Sequence, residues 1–153
     1  MSKARRLIIL MLILLPMAAY ATIALANNTI AKHLETRLLS QAAPPESAVL
    51  DSLWIAGKMR GNGNGMQYFG ELLIQSDLDQ DELEAYYADL SDERTSLNIY
   101  PQESPVIFEY PKHQFQRFDE DRTLWRIELS RNVAVGCEEN FWEGVLNWDL
   151  RGH

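Results

Sequence analysis

This chain of 153 residues holds one cysteine, Cys137. A lone cysteine closes no intrachain disulfide, and without a CxxC pair or a neighbouring histidine it builds no cysteine-based metal site. It reads as a small packed hydrophobe. Histidine is nearly as scarce: His33, His113 and His153 are scattered and form no HExxH or similar pattern. There is no GxSxG elbow around a serine nucleophile. Basic residues are few, 14 against 22 acidic, for a net charge of -8. Three of them, Lys3, Arg5 and Arg6, precede the first apolar run, which leaves 11 facing all 22 acidic residues. Such a surface repels phosphate backbones, whose binding depends on lysine and arginine displacing counterions, and so argues against a nucleic-acid partner.

Phosphate-cradling motifs are missing too, although "RGNGNGMQYFG" at Arg60 to Gly70 is dense in glycine. A P-loop needs GxxxxGK[ST], and the one Gly-Lys pair, Gly57-Lys58, is followed by Met59. The dinucleotide pattern GxGxxG fails because Met66 or Tyr68 stands where the third glycine belongs. No nucleotide cofactor is expected. Asn62-Gly63 and Asn64-Gly65 instead favour the positive φ of a tight hairpin turn. The expectation is a hairpin joining strands near Leu53 to Met59 and Met66 to Ser76, with Gly61, Asn62, Gly63, Asn64 and Gly65 at its tip as a loop able to meet a partner.

What the chain does have is a long apolar run. Leu7 to Ala26 carries no charge over twenty residues and follows a basic cluster. At about 1.5 Å per helical residue it crosses a bilayer core of about 30 Å. Read as a signal anchor, it leaves residues 1–6 as a cytoplasmic tail and 7–26 as the transmembrane span, continuing into a juxtamembrane helix over 27–42 with Ile30, His33, Leu34, Leu38 and Gln41 at helical spacing. Read as a signal peptide, it offers small-residue cleavage sites ending at Ala21 or Ala26. Both readings put the chain beyond Asn27 outside the cytoplasm. Asn27 also opens an Asn-Asn-Thr sequon.

Pro44 and Pro45 mark a linker over 43–48. Beyond it, residues 49–153 read as an extracytoplasmic α+β domain: a small antiparallel sheet with one amphipathic helix packed on it. In its second strand Met66, Tyr68, Leu72 and Ile74 share one face while Phe69 and Leu73 take the other, the mark of a central strand. Asp79 caps the following helix and Glu82 completes the capping box. Leu83, Tyr86, Tyr87 and Leu90 form that helix's apolar stripe. "SLNIYP", "VIFEY", "TLWRIELS" and "FWEGVLNWDL" read as further strands.

The acidic motifs have ordinary explanations. Asp77, Asp79 and Asp81 imitate a calcium loop, but Glu82 and Ala88 stand at the positions that need glycine and a bidentate glutamate. "RFDEDR", Arg117 to Arg122, reads as a solvated turn, with acid and base work on a secreted or envelope substrate as the alternative use of its carboxylates. Trp54, Trp125, Trp142 and Trp148, with Tyr86, Tyr87 and Tyr100, are core candidates whose surplus could make a recognition platform. The function expected is that of a membrane-anchored domain acting through binding to a protein or polymer, with the helix and a sheet edge as the partner surfaces. The alternative is a small hydrolase.

Overall fold

The computed structural model describes residues 3–57, 59–60, 66–109 and 112–132. The fold is α+β. A 38-residue helix α1 (Lys3–Ser40) leads into strands β1 (Ala48–Gly57) and β2 (Gln67–Gln75), then helix α2 (Gln80–Tyr87) with a 3-10 turn at Ala88–Leu90. Strands β3 (Ser96–Pro101), β4 (Val106–Phe108), β5 (His113–Gln114) and β6 (Leu124–Asn132) follow. The main sheet is antiparallel in the order β1-β2-β6-β3, and β4 and β5 form a separate pair.

β1 and β2 make the expected hairpin, with Ala56 opposite Tyr68 and Gly57 opposite Gln67. At its base the Gln67 side chain accepts from the amides of Met59 and Arg60 at 2.8 and 2.7 Å and donates back to the Arg60 carbonyl at 3.0 Å. The tip, Gly61 to Gly65, lies outside the described residues, as does the expected strand within "FWEGVLNWDL". The short strand β5 has no counterpart in the sequence reading, which leaves His113 in a loop.

β2 is internal and buried along its length, as its two apolar faces require. Met66, Tyr68, Leu72 and Ile74 join Ile99, Ile127 and Leu129 beneath the helices. On the opposite face Phe69 packs with Ile55 and Phe108, and Leu73 with Phe115 and Leu124. The described sheet is thus a middle layer, with α1 and α2 on one side and the β4–β5 segment on the other.

The largest departure from the sequence reading is the role of α1. Its second half is part of the folded domain: Asn27, Ala31, Leu34 and Leu38 are buried against the sheet, spaced along one helical face. His33, expected within that stripe, is exposed. Gly70 makes the close approach possible, since a Cβ there would stand 2.3 Å from the Glu35 backbone nitrogen and 2.5 Å from the Leu34 carbonyl carbon. Polar contacts fix the same stretch. Ser52 Oγ donates to Glu35 Oε1 at 2.7 Å, Tyr68 Oη donates to Asn27 Oδ1 at 2.8 Å, and Arg37 Nη2 reaches the Leu90 carbonyl at 2.7 Å. The sequon's acceptor amide is therefore inside the fold.

The first half of α1 is different. Leu7 to Leu15 are more than 40% exposed throughout, and none of the helix's most apolar window is covered by the rest of the chain. The helix runs unbroken through Pro16. Thr22 satisfies its hydroxyl on the Ala18 carbonyl at 2.8 Å, as polar side chains do where water is absent. This one helix is long and apolar enough to span a membrane or to serve as a signal sequence.

Candidate functional site

The outer strand β3 borders a groove of about 340 Å³, lined by Gln80 and Glu84 of α2, by Ala88 of the 3-10 turn that follows it, by Ser91, and by the four consecutive residues Leu97, Asn98, Ile99 and Tyr100. Successive residues of a strand point to opposite faces. What four in a row share toward one groove is therefore the backbone edge. The alternation is fixed two residues past Tyr100: the Gln102 amide donates inward to the Leu124 carbonyl at 2.9 Å. Even-numbered residues thus turn their N–H and C=O toward β6, and Leu97 and Ile99 turn theirs away. Pro101, which has no N–H to give, falls on the outward side, where proline is tolerated in a sheet. Among the described residues no backbone group pairs with Leu97 or Ile99 on that side.

The opposite wall is set by helical spacing. Gln80, Glu84 and Ala88 are four apart and so form one stripe, next to the buried Leu83 and Tyr87 that hold α2 to the sheet. Gln80 Nε2 donates to Glu84 Oε1 at 2.7 Å. Asp79 begins this helix as expected: its side chain accepts from the Glu82 amide at 2.9 Å, and Glu82 Oε2 accepts from the Asp79 amide at 3.0 Å.

Behind β3 lies a charged cluster on the sheet face away from the helices. Glu71 and Glu128 stand directly opposite each other on β2 and β6, and both are fully buried. Arg60 grips Glu128 with both terminal nitrogens, at 2.8 and 2.5 Å, while its guanidinium lies 5.2 Å from the ring centre of Phe69 and 5.3 Å from that of Phe108. Asn98 Nδ2 also donates to Glu128, at 3.1 Å. Arg126 stacks over Tyr100 at 4.6 Å and stands 3.8 and 3.9 Å from the two carboxylates, beyond hydrogen-bonding range. Among the described residues Glu71 has no hydrogen-bond donor on either oxygen. Burial and then the charge of Glu128 push its pKa well above the usual carboxyl range, with Arg126 and Arg60 offsetting part of the rise. Asn98 and Tyr100 connect this cluster to the groove, so the edge strand rests on a polar foundation.

The other residues singled out from sequence are dispersed. Asp119 pairs with Arg122 at 2.7 Å and accepts from the Asp121 amide at 3.2 Å, both within an exposed turn that does not line the groove. Trp125 is half-buried against the helix-side core, Tyr87 is buried with Tyr86 edge-on to it at 5.1 Å, and Trp54 is 37% exposed on the outer strand β1. Trp142 and Trp148 lie outside the described residues. Among the described residues no group of three or more His, Cys, Asp or Glu side chains is placed to hold a metal ion.

Sequence reading missed Glu71 and Glu128, whose only signal was Glu71's place between Phe69 and Leu73 on the second face of an internal strand. No protein-family model, curated protein or solved structure matches this chain.

Proposed function

We propose that the protein is a single-pass, membrane-anchored binding module, with its amino-terminal tail in the cytoplasm and its α+β domain on the other side of the membrane. The observation that carries this reading is the division of α1: an apolar half that the fold leaves uncovered continues without a break into a half locked onto the sheet. A helix built this way joins the domain to the bilayer rigidly. The basic cluster Lys3, Arg5 and Arg6 gives the orientation.

The packing of Asn27 also bears on cleavage. A cut after Ala26 would create an ammonium on Asn27, which is only 3% exposed and would then open the helix. A buried cation at a helix N-terminus is opposed both by desolvation and by the helix dipole. Binding is the activity favoured because the described surface presents an open strand edge beside an acidic helix, and the two carboxylates behind it, Glu71 and Glu128, are buried. Protease added to intact cells and to inverted vesicles tests the topology: digestion of the domain from the outer side alone is expected, and digestion from the cytoplasmic side alone would refute the reading.

A further inference from the structure

We infer that the groove between α2 and β3 binds an extended, basic peptide segment, which adds to the sheet as a strand next to β3. The inference rests on the binding-module reading and specifies its surface and its partner. Leu97 and Ile99 turn their N–H and C=O groups into the groove with no partner among the described residues. Main-chain groups on a strand edge are the template for strand addition, and the pockets beside them select side chains. Pro101 sets the limit of the added strand, because it has no N–H to offer.

The facing wall selects charge. Glu84, on the α2 stripe that lines the groove, is exposed, and its carboxylate accepts from the neutral Gln80 side chain. Asp81 and Glu82 add negative charge on the same short helix. A lysine or arginine on the incoming strand meets this carboxylate across the groove. A second copy of the chain fits poorly, since it would bring the same acidic helix and a net charge of -8 against its own kind.

The test is to pan a library of short random peptides against the full chain in phosphatidylcholine nanodiscs, after adsorption on empty discs. Enriched peptides should combine β-prone residues with lysine or arginine, and synthetic copies should slow amide exchange at Leu97 and Ile99. Glu84→Lys should weaken them about tenfold, the size of one lost charge-assisted contact. N-methylation of the peptide amides that face the edge should abolish binding, and it leaves the protein itself unaltered.

No enrichment over empty discs would overturn the inference, as would binders indifferent to both N-methylation and Glu84→Lys. Protection of Leu97 and Ile99 that grows with protein concentration in the absence of peptide would assign the edge to a second copy instead. Binders that protect another surface would overturn the groove and leave the binding module standing. A domain digested only from the cytoplasmic side would do the reverse.

Discussion

Replacing Gly70 by alanine probes the joint between α1 and the sheet. The added methyl would sit 2.3 Å from Glu35 N, 2.5 Å from Leu34 C and 2.9 Å from Glu35 Cα. Carbon atoms settle at roughly 3.5–4.0 Å, so α1 must retreat by on the order of 1 Å. All three atoms belong to helix backbone and have no rotamer to escape into. Overpacking costs about 1–3 kcal/mol, and here the upper end applies, because the retreat also loosens Ala31, Leu34 and Leu38 from Tyr68 and Leu72. Reduced freedom of the unfolded chain returns about 0.4–1 kcal/mol. The net loss expected is thus about 2–3 kcal/mol. Gly57→Ala is the control, since among the described residues its methyl would meet the far end of one flexible side chain, Met59, at 2.5 Å from Cε and 3.9 Å from Sδ. Urea unfolding of the full chain in micelles, followed by tryptophan fluorescence, should show a midpoint lowered by roughly 1–2 M for Gly70→Ala. If Gly70→Ala falls within about 0.5 kcal/mol of the control, the close packing of α1 on β2 is refuted.

Three further outcomes are expected in the same unfolding assay. Asp79→Ala removes one half of the capping box and should cost about 1 kcal/mol; no change would mean that α2 does not depend on that cap. Glu128→Gln removes the buried charge and one of the two oxygens that accept from Arg60, and should cost about 2–3 kcal/mol, below the usual figure for a buried pair because the Arg60 side chain is 38% exposed. A loss under about 0.5 kcal/mol would show the pair to be incidental. For Glu71 the raised pKa sets the sign: between the ordinary glutamate value and the folded one, the folded state holds a proton that the unfolded state has released, so stability falls as pH rises across that window. Glu71→Gln copies the protonated side chain and should flatten this slope; an unchanged slope would show that Glu71 is not its source.

Where a local rule decides the structure, the sequence reading and the fold agree. Asp79 and Glu82 three residues apart specify a helix start through two reciprocal hydrogen bonds. The strands on either side of the glycine-asparagine stretch pair as a hairpin, and the two apolar faces of Met66 to Ile74 specify an internal strand. What was illegible depends on partners distant in sequence. Asn27 and Ala31 are too polar or too small to announce a core face, and their burial follows from Gly70, about forty residues on, which reads locally as a weak point in a strand. Glu71 and Glu128 look like solvent positions until the register sets them opposite each other, with Arg60 arriving from the hairpin. The open edge of β3 arises because β6 inserts between β2 and β3, an order that strand patterns alone do not fix.

An anchored binding module requires that α1 stay whole, and the intact mass of protein extracted from membranes tests this directly. A species of 17.6 kDa, retaining Leu7 to Ala26 and resisting alkaline extraction, is predicted. A mature chain that begins at Thr22 or Asn27 and is recovered free of the membrane would contradict it.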